Sequence, residues 1–313
     1  MTEMQEKWVE ITLTTSAAFS DALANFLEEL GAAGVYEEEK EQDPFTGKTA
    51  AKEKSEIKAY LPWDRGVKQK IEELETYLAG LKELFPKIDK PVFATANIVD
   101  PDWGEQWKKF FKPIKIGNYI VIKPTWERFS STGRDVIVEI DPGMAFGTGQ
   151  HPSTQMCIIA LEDIIFRNRS VTNWNVLDIG TGTGILAICA VKLGAASAHA
   201  IDIDPKAVEI AGRNAEINGV AGKMEIENRD ATLLKGSYNL ITANLTAATL
   251  IKIHSHLLDL LAPGGYLIAS GIMEQDMDSI EKVFQADGLF LREKKNEREW
   301  LCYVFGKEAG QKQ

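Results

Sequence analysis

The stretch VLDIGTGTGILAI, residues 176–188, decides how the rest of the chain reads. VLDI has the apolar run of a buried strand and ILAI opens a helix, with glycines at 180, 182 and 184 between them. Glycine there lets the backbone reverse sharply and approach a ligand with no Cβ in the way. The spacing G-x-G-x-G departs from the G-x-G-x-x-G of dinucleotide-binding turns, and Asp178 precedes the first glycine. A carboxylate beside the loop disfavours a diphosphate and suits a ligand with a cationic amino group. The next predicted strand, AHAIDID, carries Asp202 twenty-two positions after Gly180. An acid at that strand tip can accept both hydroxyls of a ribose. Its other reading is a cap for the helix opening at Pro205, a role assigned instead to Asp204. The ligand predicted is a nucleoside with a positive charge, and the glycine spacing and Asp178 disfavour a nicotinamide-dependent dehydrogenase.

Working outward, near-continuous apolar strands alternate with helical stretches: NVLDIG, GILAICAVKLGA, AHAIDID, PKAVEIAGRNAEINGV, KMEIENRD, NLITANL and GGYLIASG. That order predicts a doubly wound α/β sheet covered on both faces. The tail GLFLREKKNEREWLCYVFGK reads as a hairpin closing one sheet edge. The first hundred residues differ. A strand, a helix and a strand (KWVEITLTT, SAAFSDALANFLEELGAAG, VYEEE) are followed by SEIKAYLP, RGVKQKIEELETYLAGLKELF and VFATANIVD, the βαββαβ order of a ferredoxin-like α+β domain. The expected division is 1–100 for this domain, 101–129 for an aromatic linker, and 130–313 for the larger domain. In the linker Trp103, Trp107, Phe110, Phe111 and Trp126 stand among lysines. They read as rings pinning two domains together, with a base-stacking surface as the alternative.

Composition narrows the partners. The chain has 313 residues and a net charge of −11. Residues 1–100 hold twenty Asp and Glu against twelve Lys and Arg, so the acid is concentrated in front. Such a chain has no overall attraction for nucleic-acid phosphate and favours a basic partner. Cys157, Cys189 and Cys302 are widely spaced in apolar runs and read as core thiols. No metal site is expected, because His199, His254 and His256 fall in apolar strand or helix context and lack metal-ligand company. No secretory leader or membrane span is signalled, which points to the cytoplasm and to no membrane partner.

Directly before the glycine turn lies DPGMAFGTGQHPST, residues 141–154. A loop with this many glycines can fold over a small ligand and expel water from it. Further on, NLITANL ends in Asn244. It reads either as an acceptor near the reacting atoms or as a strand-end cap. His151 reads as a general base or as a local hydrogen-bonding post.

The glycine turn, Asp202 and Asn244 together resemble the class I S-adenosylmethionine-dependent methyltransferases over roughly residues 130–306. That resemblance implies a seven-stranded sheet with an antiparallel last strand. The residues after Asn244 are LTAA, whereas many amino-methylating relatives have PPY there. The loop Gly143, Ala145, Phe146, Gly147, Thr148, Gly149, His151 and Thr154 is similar to that of the PrmA family, methyltransferases of the eleventh large-subunit ribosomal protein. Ser153 replaces the first threonine of the closing pair. This likeness extends over nearly the whole chain. It implies transfer of methyl groups from S-adenosylmethionine to lysine and N-terminal amino groups of that basic ribosomal protein, with no direct need for nucleic acid. It further implies that Thr154, Gly180, Asp202 and Asn244 contact the cofactor. Asp178, Gly182, Phe146 and Thr148 complete the expected set, and Asn244 is the expected catalytic acceptor. A protein-lysine methyltransferase with another basic target is the alternative, and a non-enzymatic cofactor sensor a more distant one.

Overall fold

A computed structural model describes residues 8–32, 35–37, 54–64, 66–85, 88–98, 108, 111–131, 133–141, 147–168, 171, 173–286 and 288–309. The chain divides into two compact units, Met1–Phe111 with Pro142–Phe146, and Lys112–Asp141 with Gly147–Gln313.

In the first unit β1 (Trp8–Ser16), α1 (Ala17–Glu29), β2 (Val35–Glu37), β3 (Lys54–Pro62), α2 (Val67–Leu84) and β4 (Val92–Ile98) follow the expected βαββαβ order. They form one antiparallel sheet ordered β2-β3-β1-β4. Alternation along β1 sends Val9, Ile11 and Leu13 into the core, where they meet Leu23 and Leu27 of α1 and Leu74 and Leu78 of α2. Trp103, Trp107 and Phe110 lie outside the described residues.

The second unit begins with a small sheet of β5 (Ile114–Ile116), β6 (Ile120–Lys123) and β7 (Val136–Glu139). The expected linker 101–129 is therefore divided, with Lys112 onward in this unit. The reason is a partner distant in sequence. Glu162 accepts hydrogen bonds from the Asn118 and Tyr119 amides at 2.9 and 3.0 Å and so holds the β5–β6 turn.

After α3 (Pro152–Arg167) come β8 (Asn175–Ile179), α4 (Ile185–Lys192), β9 (Ser197–Asp202), α5 (Pro205–Ile217), β10 (Met224–Asn228), β11 (Tyr238–Asn244), α6 (Ala247–Leu260), β12 (Leu261–Met273), α7 (Met277–Ala286), β13 (Leu289–Glu297) and β14 (Trp300–Lys307). The seven strands are ordered β10-β9-β8-β11-β12-β14-β13. Those from β10 to β12 run parallel, and β14 enters antiparallel between β12 and β13. Neighbouring residues feed opposite faces, which is why the strands read as unbroken apolar runs. Val176, Leu240, Ile268 and Cys302 join the core under α3 and α4. Leu177, Ile241, Leu267 and Tyr303 join the one under α6 and α7. All three cysteines are buried and unbridged.

Candidate active site

Three parallel strands end side by side, and each delivers one of the polar residues singled out in the sequence. The turn after β8 carries Gly180, Gly182 and Gly184 at φ 69°, 54° and 81°, left-handed values that a side chain would strain. The turn is tied to its neighbour by the Gly180 and Thr181 amides, which donate to the Ile201 carbonyl at 2.9 and 3.0 Å. α5 then packs close: a Cβ on Gly184 would stand 3.3 Å from the Ala211 backbone.

Asp202, at the tip of β9, accepts from the Gly182 amide at 3.0 Å and, through its other oxygen, from the Asp204 amide at 3.0 Å. Its carboxylate is thereby aimed, while each oxygen keeps lone-pair capacity for a further donor. Asp204 caps α5 through the Lys206 amide, as expected.

Asp178 lies beneath the turn, 1% exposed. Its two oxygens accept from the Thr181 and Thr242 hydroxyls at 2.7 and 2.6 Å. Burial pushes its carboxyl above the usual range, against the hydrogen bonds from Thr242, Thr181 and the Ala187 amide, and the charge of Asp202 adds to the rise. The side chain thus braces the turn from below.

Asn244 ends β11. Its Nδ2 donates to the Thr154 hydroxyl of α3 at 3.3 Å, and its Oδ1 is buried with no hydrogen-bond partner. Space around that oxygen is kept clear by Gly271, where a Cβ would stand 3.0 Å from Asn244 Oδ1 and 2.7 Å from the Leu245 carbonyl oxygen. A buried acceptor left without a donor fits a ligand nitrogen bearing hydrogen.

His151 is the N-cap of α3. Its Nδ1 accepts from the Ser153 amide at 3.2 Å and the ring packs edge-on to Trp300. Burial, with the Arg298 charge second, lowers its pKa to about 4, so the ring is neutral near pH 7. The preceding loop is joined to the glycine turn by the Thr183 hydroxyl, which donates to the Gly147 carbonyl at 2.6 Å. Thr148 is half-buried, and Phe146 lies outside the described residues.

Some of the machinery was not read from sequence. Thr181, Thr242, Thr183 and Asn214 are buried, and Asn214 donates to the Thr183 carbonyl at 2.8 Å. A threonine inside the apolar run NLITANL was the available signal, since a buried hydroxyl needs a partner. Ile203 and Leu233 are 77% and 73% exposed, large apolar groups beside the tips of β9 and β10. An isoleucine between two aspartates at a strand end marks the first of them. His199 has ligand-type company after all, because β10 pairs with β9 and brings Glu225 and Glu227 to it.

The strand order with one antiparallel intruder, the left-handed glycine turn after β8 and the acid at the tip of β9 define a class I S-adenosylmethionine-dependent methyltransferase. The family model for ribosomal protein L11 methyltransferase (PrmA) matches residues 7–308, and the chain belongs to that family. The ribosomal protein L11 methyltransferase of Pelobacter propionicus is 36% identical over 98% of this chain and 99% of its own length. That of Geotalea uraniireducens is 37% identical over 98% of this chain and 100% of its own. The crystal structure of ribosomal protein L11 methylase from Lactobacillus delbrueckii subsp. bulgaricus covers 63% of this chain and 100% of that one, with a TM-score of 0.59 at 30% identity.

Proposed function

We propose that the protein transfers methyl groups from S-adenosylmethionine to amino groups of ribosomal protein L11, lysine side chains and the N-terminal amine being the acceptors, and that it does so in the cytoplasm without nucleic acid. The observation that carries the amine reading is the buried, unpartnered Oδ1 of Asn244. The sulfonium of the cofactor supplies an already activated methyl group, which leaves positioning and one proton to the protein.

Asp202 takes the ribose hydroxyls, with Gly180 and Gly182 giving the ligand backbone access. Asp178 offers a negative field from below through the threonines that hold it. Thr154 fixes the Asn244 amide so that Oδ1 faces the incoming nitrogen, while Phe146 and Thr148 belong to the covering loop. Ile203 and Leu233 supply an apolar cover for the base. Among the described residues no helix is long and apolar enough to cross a membrane, consistent with this setting.

The amine must arrive neutral. Deprotonation at pH 7 costs about 4.6 kcal/mol for a lysine of ordinary pKa and about 1.4 kcal/mol for an α-amine. An acceptor such as Asn244 Oδ1 in a dry recess orients the neutral nitrogen by one N–H, and burial disfavours its ammonium form. The acidic unit 1–100 serves as the recognition domain, attracting a basic protein through its charge.

Incubating a cell extract with methyl-labelled S-adenosylmethionine and the purified protein tests this. One small basic ribosomal band, with label on its lysines and N-terminus, is the expected result. Label spread over non-ribosomal proteins would overturn the target.

A further inference from the structure

Away from the methyl-transfer site, the sheet edge formed by β10 holds a second constellation. The parallel register sets Glu225 beside His199 and Glu227 beside Ile201, so two glutamates two residues apart flank one histidine on the same face. The ligating atoms of His199, Glu225 and Glu227 all lie within 4.8 Å of one another. His199 is 9% exposed and its Nε2 is buried without a hydrogen bond, while the buried Oε2 of Glu227 faces it in an ion pair with Arg229. These two atoms stand 3.5 Å apart. Donor atoms around a tetrahedral ion at about 2.1 Å are separated by about 3.4 Å, so this edge is already at ligating distance.

We propose that His199, Glu225 and Glu227 bind a divalent first-row transition-metal ion of the zinc type. Tyr238 supplies the outer support: its hydroxyl meets His199 Nδ1 at 2.8 Å. With the proton on Nδ1 donated to that oxygen, Nε2 presents its lone pair to the two carboxylates, the arrangement found behind metal-bound histidines. One imidazole and two carboxylates balance a dication and leave the site neutral. The nitrogen donor selects against magnesium and calcium, which favour all-oxygen shells. Arg229, whose Nε lies 3.1 Å from Glu227 Oε2, is the resident cation the metal displaces. Glu225 is exposed on the edge strand and gives the ion an entry path. Bound there, the ion clasps β9 to β10 three residues before Asp202, so its role is to brace the strand end that aims that acid. The site stands on its own residues and does not depend on which protein is methylated.

The test is calorimetric titration of Zn²⁺ into the full, tag-free chain after chelator treatment and dialysis. Expected are one ion per chain, a melting point raised by roughly 5 °C at saturation, and at least tenfold weaker binding in Glu225→Gln, an exposed position on the edge strand. His199→Gln should abolish binding, and Co²⁺ bound to the parent chain should show the visible bands of a low-symmetry four-coordinate site. No saturable binding, equal binding in both variants, or Mg²⁺ competing as an equal would each overturn the assignment.

Discussion

Asn244 Nδ2 and Thr154 Oγ1 meet at 3.3 Å across ninety residues of chain, and this bond leaves the amide's other end buried with no partner. The pairing couples the last residue of β11 to the first turn of α3, so the orientation of the amide is set by tertiary packing. Asn244→Ala is expected to lower the rate of methyl transfer by about a hundredfold, the scale seen when one positioned polar group is lost from a reacting centre. Affinity for S-adenosylhomocysteine should fall by less. Single-turnover transfer and calorimetry separate the two effects. In the parent enzyme the rate should climb between pH 7 and 10 as the acceptor amine loses its proton, and a flat profile would remove the deprotonation step.

Asp202 holds the glycine turn through the Gly182 amide and faces the proposed ribose. Asp202→Ala should weaken cofactor binding by about a hundredfold, since hydrogen bonds to a charged group contribute about 1.5–3 kcal/mol each. Unchanged heat on titration with S-adenosylhomocysteine would contradict the assignment.

Gly184→Ala meets two obstacles, a left-handed φ of 81° and the Ala211 Cβ at 3.2 Å from the added methyl. A loss of about 2 kcal/mol is expected from strain and overpacking together. Urea unfolding of the variant gives the number directly.

His151 titrates at about 4 when folded, below its ordinary 6.5. Between those values the unfolded chain takes up the proton first, so the ring's contribution is complete above pH 6.5 and is lost as pH falls through about 4. With allowance for partial solvent screening, the contribution is on the order of 2 kcal/mol. His151→Gln should flatten the dependence of urea midpoint on pH across that interval, whereas an unaltered slope would place the titration elsewhere.

Removal of residues 1 to about 93 should abolish methylation of the ribosomal protein while leaving cofactor affinity nearly intact, and methylation by the parent chain should weaken with rising salt. Methyl incorporation and calorimetry on the truncated chain decide it. Full efficiency without those residues would defeat the docking role.

Much of this arrangement was legible because local signals agreed with one another. The glycine triplet, the apolar runs and the acid at the second strand tip each specify backbone shape or burial from residues a few positions apart. Asp204 and Pro205 announced a helix start in the same local way. The place of Asp178 was not legible. Sequence sets it beside the turn, whereas the fold puts it beneath, because β11 pairs with β8 and delivers Thr242 opposite it. His151, read as a general base or a local hydrogen-bonding post, is placed by the fold as the N-cap of α3.

By itself, the order of residues determined the succession of elements and the family, since periodicity, turn residues and a loop motif all lie in contiguous chain. Only the tertiary structure decided which acceptor is left unpartnered, which carboxylate is aimed and which is buried, and which histidine gains glutamate neighbours. Those properties depend on parallel strand pairing and helix packing between residues far apart in sequence, where hydrogen-bond partners, desolvation and field are set.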